Sequence, residues 1–201
     1  MYPGQYEPEN YWEPEPEPKP ALLSRVLHLV RELLETIVPA VLIALLINLF
    51  LAQATRVFGQ SMEPNLHTDQ RLIVEKLSYN PYLRQFLGSN GPQRSDVVVI
   101  RLHTQGDELL IKRVIGLPGD VVEIRDSQVF VNGQPLAEPY IADGTPGIYG
   151  PTTVPPLHIF VLGDNRSFSN DSRSFGTISL KDVVGRAWFS YWPPDDTGFV
   201  R

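Results

Sequence analysis

Lys112 lies in the run Glu108-Leu109-Leu110-Ile111-Lys112-Arg113-Val114-Ile115, which is otherwise largely apolar. If this run is a strand, side chains alternate and Lys112 shares a face with Leu110 and Val114. An ammonium on an apolar face loses hydration, which lowers its pKa and leaves a neutral amine able to accept a proton. Such an amine can activate a serine hydroxyl for attack on a carbonyl. The run also fits a strand lysine whose stem crosses apolar surface and whose head returns to water. Two other segments offer partners. Phe58-Gly59-Gln60-Ser61-Met62-Glu63-Pro64 sets a serine between glycine and proline, the composition of a tight, exposed turn. The stretch 163–176, from Gly163-Asp164-Asn165-Arg166 through Ser169-Asn170-Asp171-Ser172-Arg173 to Gly176, gathers short polar residues after an apolar run. It reads either as a solvated loop or as a polar shell that orients a site.

Other chemistries lack the residues they need. There is no cysteine, which excludes disulfides, thiolate catalysis and cysteine metal sites. The four histidines, His28, His67, His103 and His158, show no metal-ligand spacing, so no metal is expected. No G-x-S-x-G elbow and no phosphate-binding glycine loop occurs. A net charge of −6 argues against nucleic acid as a partner.

The elements that must position Ser61 and Lys112 are short. Strands are expected at 71–76, 96–102, 109–115, 121–124, 128–131, 158–162 and 185–190, from alternation or β-branched runs. Asn132-Gly133 marks a hairpin turn, and Pro135 after it suits only an edge strand. Residues 135–156 read as a long loop. Together these make residues 55–201 a mostly β domain.

The N-terminal part differs. Residues 1–20 hold six prolines and five glutamates against one lysine, and read as a disordered tail. Residues 21–36 have leucines and valines at helical spacing, with Arg25, His28, Arg31 and Glu32 between them. Residues 37–52 are then sixteen without a charge, apolar on every face, with Pro39 in the first turn of that run. This is expected to be a single transmembrane anchor, residues 21–54 forming one amphipathic-to-apolar helical unit. Ala52-Gln53-Ala54 looks like a signal-peptide cleavage site, but the long acidic beginning does not suit a signal peptide, so the segment is expected to stay uncut. Lys19, Arg25 and Arg31 before the span, against Arg56 and Arg71 after it, lean toward a cytoplasmic N-terminus and an extracytoplasmic domain.

The three chemistry-bearing segments, in this order behind an apolar anchor, resemble those of the type I signal peptidases. Gly59-x-Ser61-Met62-x-Pro64, Lys112-Arg113 followed by Val114-Ile115-Gly116-Leu117-Pro118-Gly119-Asp120, and Gly163-Asp164-Asn165-Arg166-x-x-Ser169-x-Asp171-Ser172-Arg173 carry the likeness. Arg94-Ser95-Asp96-Val97-Val98-Val99 is similar to a further family strand, with Ser95 in place of glycine. The resemblance implies a compact antiparallel β catalytic domain with one transmembrane helix, in a bacterial plasma membrane. It implies cleavage of signal peptides from exported precursors after A-x-A sequences, without a cofactor. Ser61 would be the nucleophile, Lys112 the general base, and Ser169 the residue that orients the amine. Arg113 with Asp164, and Asp171 with Arg173, would be structural ion pairs. The Ser61 amide would be one oxyanion donor. Where some members place a second, hydroxyl donor, this chain has Gly59. Asn65 replaces the usual threonine. Val57, Phe58, Met62, Leu110 and Ile111 flank the pair and are the pocket candidates. The partners implied are precursor proteins and the lipid bilayer; no pattern specifies an oligomeric state.

Overall fold

A computed structural model describes residues 22–79, 88, 91–103 and 106–200. The Pro/Glu-rich stretch 1–20 lies outside them. The chain divides into two compact units between Ala44 and Leu45.

In the first unit and slightly beyond it runs α1, Leu22–Leu46. It is continuous through the amphipathic and apolar sequences, so Pro39 sits in its interior and not in a first turn. Arg31 pairs with Glu35 at 2.6 Å one helical turn on. None of its residues is buried within the chain. The expected span 37–52 is not one helix. The α-helix stops at Leu46, a π turn covers Ile47–Leu51, and Ala52 already belongs to a strand. Among the described residues no helix is long and apolar enough to cross a membrane. The cause is visible in the chain: Arg31, Glu32 and Glu35 limit the uncharged helix on one side, and the sheet takes over the other.

The second unit is antiparallel β structure. One sheet has the order β1-β2-β11-β3-β4-β9-β10, with β12 on β11. Its strands are β1 (Ala52–Arg56), β2 (Arg71–Glu75), β3 (Val97–Leu102), β4 (Glu108–Gly116), β9 (His158–Leu162), β10 (Ile178–Ser179), β11 (Val183–Trp192) and β12 (Gly198–Phe199). A four-stranded sheet has the order β7-β6-β5-β8, from β5 (Val121–Arg125), β6 (Gln128–Val131), β7 (Gln134–Pro135) and β8 (Tyr149–Thr153). Asn132 and Gly133 both have positive φ, 53° and 78°, and close β6 onto β7. Pro135 lies on an edge strand, where its missing amide costs no ladder bond.

The long loop expected over 135–156 contains β8, paired with β5. Tyr149-Gly150-Pro151-Thr152-Thr153 hides its strand character because Gly and Pro break the pattern; Pro151 is tolerated because β8 is also an edge. β1 was likewise concealed, its Ala-Gln-Ala start merging with the apolar run. It pairs Ala52 with Glu75, Gln53 with Val74 and Ala54 with Ile73. The Ala52-Gln53-Ala54 backbone is thus held in a ladder, which opposes its cleavage.

β3 and β4 are the centre. Val97 and Val99 pack with Ile111, Met62 and Leu72, while Val98 and Ile100 pack with Val114 and Ile159 in a second cluster. Adjacent β3 residues thus serve two different clusters, which is why the run reads as unbroken β-branching. A third cluster, around Val122, Ile124, Phe160 and Leu162, joins the two sheets at the end of β4. Gly116 sits there. A Cβ on it would lie 2.7 Å from Val122 Cγ2 and 3.1 Å from Phe160 Cβ. Gly116→Ala is therefore expected to overpack this junction and destabilise the domain by about 1–3 kcal/mol. Thermal unfolding checks this, and an unchanged Tm would show that the junction has room to spare.

Candidate active site

The register of β4 fixes the base candidate. Lys112 pairs with Val98 and Arg113 with Val97 on β3, while Arg113 also faces Leu162 on β9. Paired with β3, one residue before β9 joins the other edge, and set in the core, Lys112 is only 2% exposed. Desolvation, the largest influence, lowers its pKa from 10.5 to about 8; Asp171, Glu108 and Asp164 pull the other way. The amine is 2.8 Å from Ser61 Oγ and 3.0 Å from the Ile111 carbonyl oxygen. In its neutral form it can accept the hydroxyl proton across the first contact.

Ser61 is held by a loop that leaves β1 and returns to β2. Val57 N–H donates to Gln70 O and Asp69 N–H to Val57 O, closing the loop at its neck. Met62 and Leu66, both buried, plug its inner side into the core. Gly59 has φ +79°, a conformation that favours glycine, and its carbonyl accepts the Thr68 hydroxyl. The Ser61 carbonyl accepts from Asn165 N–H at 3.0 Å. Its own N–H has no hydrogen-bond partner among the described residues.

The polar segment follows β9 directly. Gly163 N–H donates to Asp171 Oδ2, and Asp171 accepts from Arg173 Nε and Nη2, both at 2.8 Å. Asp171 also caps the helical turn Ser172–Phe175. Gly163 cannot carry a side chain, since a Cβ would collide with Ser169 Oγ and lie 2.5 Å from Ser61 O. Asp164 takes a two-pronged contact from Arg113, 2.7 and 2.6 Å, and a third donor from Asn65 Nδ2 at 2.8 Å. The Arg113 guanidinium stacks on Tyr140, 4.1 Å from the ring centre. Ser61, Lys112, Gly163, Asp164, Arg113, Asp171 and Arg173 are thereby brought together. Ser169 Oγ is buried beside Gly163 but has no hydrogen-bond partner, so no bond to the lysine amine is present.

The pocket candidates separate. Val57, Met62 and Ile111 are buried in the first core cluster. Leu110 is half-buried, and Phe58 is 74% exposed. A cavity of about 210 Å³ lies on the other flank, lined by Glu63, Pro64, Asp143, Asn165, Arg166 and Ser167 among others.

Sequence reasoning gave no role to Arg166 or Glu138. Arg166 is buried, grips Glu138 through both terminal nitrogens, bonds Thr145, and donates from Nε to Gly163 O. Tyr140 OH also donates to Glu138. The signal available was an arginine inside a segment of short polar residues, but its partner stood in the stretch read as featureless loop.

A hydroxyl bonded to a desolvated amine on a rigid antiparallel frame is the equipment of an acyl-transfer hydrolase with an amine base. The family model and the sequence relatives are those of a peptidase. The family model for signal peptidase, peptidase S26, matches residues 30–192. A signal peptidase I of Leptolyngbya laminosa is 40% identical over 172 residues, covering 82% of this chain and 81% of that protein. One from Bacillus licheniformis is 38% identical over 176 residues, covering 81% and 88%. A crystal structure of a signal peptidase I from Enterococcus faecalis aligns with a TM-score of 0.44 and 34% identity, over 48% of this chain and 97% of that one. The chain belongs to the signal peptidase, peptidase S26, family, and is a peptidase of the signal peptidase I type.

Burial of Lys112 carries a stability consequence. Its folded pKa lies below the unfolded value, so the folded state binds fewer protons between about pH 8 and 10.5. Below that window the fold must hold a desolvated ammonium, and the penalty is relieved as pH rises through it. Lys112→Met should therefore be more stable than the native chain at pH 7, by up to about 3 kcal/mol less ~1 kcal/mol for each of the two hydrogen bonds lost. Denaturant unfolding at pH 7 and pH 10 tests this: the advantage must shrink at the higher pH, and a pH-independent difference would contradict the desolvation argument.

Proposed function

We propose that this peptidase removes signal peptides from exported precursors with Ser61 as nucleophile and Lys112 as general base, working at a membrane surface. The observation that carries the reading is the 2.8 Å contact between Lys112 Nζ and Ser61 Oγ, with the amine out of water. Neutral Lys112 takes the Ser61 proton as Oγ attacks the scissile carbonyl carbon. The carbonyl oxygen becomes an oxyanion, and the unpaired Ser61 N–H is the donor available to it. Gly59 offers no hydroxyl there, so any second donor is a backbone amide or absent. The lysine ammonium then protonates the leaving amine and the C–N bond breaks, leaving an acyl-serine. Water, losing its proton to the same amine, attacks the ester and releases Ser61. The chemistry runs on these two side chains, without a cofactor.

The substrate is expected to bind extended, as an added strand, with the A-x-A preference, which the family membership implies, coming from shallow pockets for small residues before the cut. Of the pocket candidates, Phe58 and Leu110 have surface to offer it. Membrane attachment is supported by α1, whose leucines, valines and isoleucines from Leu22 to Leu46 are exposed all round within the chain. In this reading the apolar stretch from 37 to 51, ending where β1 begins, enters lipid, the positive residues Lys19, Arg25 and Arg31 favour a cytoplasmic N-terminus, and the β unit works outside.

Cleavage of an A-x-A precursor in detergent, native beside Ser61→Ala, tests the assignment. The native kcat/KM should rise through an acidic limb near pH 8, where the amine loses its proton; a limb near ~6.5 would indicate a histidine instead. Lys112→Arg should be nearly inactive, because a guanidinium keeps its proton. Alanine at His67, His103 or His158 should each leave activity within about tenfold. An active, folded Lys112→Arg enzyme would overturn the mechanism.

A further inference from the structure

A second cleft, of about 420 Å³, is lined by Lys76, Arg101, His103, Lys181 and Asp182 together with Gln53. None of the side chains placed in the mechanism lines it. Its charge is lopsided. Lys76, Arg101 and Lys181 form no ion pair among the described residues, although they converge from three places: the end of β2, β3, and the turn Leu180–Asp182 ahead of β11. The single lining carboxylate, Asp182, is met by His103 Nε2 at 3.3 Å, and the other ring nitrogen of His103 is 2.5 Å from Asp107. Burial first, and repulsion from the nearby Arg101 second, depress the pKa of the Lys76 ammonium. An anion carrying several acceptor oxygens would relieve that repulsion. A phosphate fits, because a guanidinium and two ammoniums can share its oxygens.

The cleft's position in the chain says where such a phosphate would come from. Lys76 N–H donates to Leu51 O at 3.0 Å, and Lys76 Nζ donates to Asn48 O at 3.0 Å. The cation is therefore tied to the last turn of the apolar stretch. Gln53, in the strand that follows immediately, lines the cleft itself. A segment leaving hydrocarbon must end at the level of the headgroups, where lipid phosphates lie and basic side chains are attracted to anionic lipid.

We propose that this cleft binds the phosphate of an anionic phospholipid headgroup and so sets the β unit against the membrane surface. The choice of a lipid as the source rests on the reading above that the apolar stretch enters the bilayer; the case for a phosphate rests on the cleft alone. The test is calorimetric titration of the full chain in dodecyl maltoside with dihexanoyl-phosphatidylglycerol, with dihexanoyl-phosphatidylcholine and with inorganic phosphate. Saturable binding of the phosphatidylglycerol is expected, with weaker binding of the phosphatidylcholine, whose own cation opposes the site. Arg101→Gln with Lys181→Gln should weaken it by about thirtyfold, each charge near an anionic headgroup counting for roughly fivefold. Arg101→Lys with Lys181→Arg should restore it. Retained peptide cleavage shows that each variant is folded, and Arg101→Gln alone serves if the double variant is not. Absence of saturable binding, or phosphatidylglycerol binding insensitive to the glutamines, would overturn the site. Inorganic phosphate binding as tightly as the lipid would overturn the lipid assignment. The membrane reading fails separately, if the full chain does not co-sediment with phosphatidylcholine vesicles while phosphatidylglycerol binding in detergent persists.

Discussion

An amine that must stay out of water governs this structure. Removing an ammonium from water is costly, and burial of Lys112 lowers its pKa to about 8, so the amine becomes neutral as pH rises through that value. For that, β4 must be covered on both edges and both faces, and β3, β9 and two hydrophobic clusters provide the cover. The same burial that weakens the fold at pH 7 gives the amine proton affinity in the range useful for a base. Stability and reactivity are opposed here at one side chain.

The acidic neighbours could undo this. Asp171 and Asp164 both favour the charged amine, so each must be offset. Arg173 closes on Asp171 and Arg113 closes on Asp164 with paired contacts. Buried ion pairs of this kind contribute little net stability, since desolvation consumes most of the attraction. Their value here is electrostatic and geometric. They quench fields that would protonate Lys112, and they tie β4 to the segment after β9. Asn65 adds the serine loop to the same knot by donating to Asp164 and to the Tyr140 carbonyl.

Chemistry that depends on local residue type was legible in the sequence. A lysine in an apolar run, a serine beside glycine and proline, and the strand pattern around them all point to elements the structure contains. The strands from β2 to β6 and β9 are close to their expected limits, because β-branched runs bury both faces or alternate cleanly. What stayed hidden needed long-range pairing. β8 contains glycine and proline and exists because β5 offers it an edge. β1 begins with Ala-Gln-Ala and exists because β2 lies alongside. The apolar run has the pattern of one helix, because hydropathy does not register where a sheet captures the backbone. Arg166 and Glu138 are 28 residues apart, and neither residue alone signals a buried partner.

That hidden pair completes the logic of the site. Gly163 must be bare because the Ser61 carbonyl and Ser169 hydroxyl occupy the space a side chain would need. Its carbonyl is fixed by Arg166 Nε and its amide by Asp171, so the backbone against which Ser61 leans is held from both ends. Arg166 in turn is anchored by Glu138 and Thr145 from the loop ahead of β8. A loop with little sequence pattern therefore backs the wall behind the nucleophile. The nucleophile loop and this chain of buried charges meet at Gly163, so the hydroxyl is positioned from both sides, and arginines and carboxylates are buried in a domain whose chemistry uses neither.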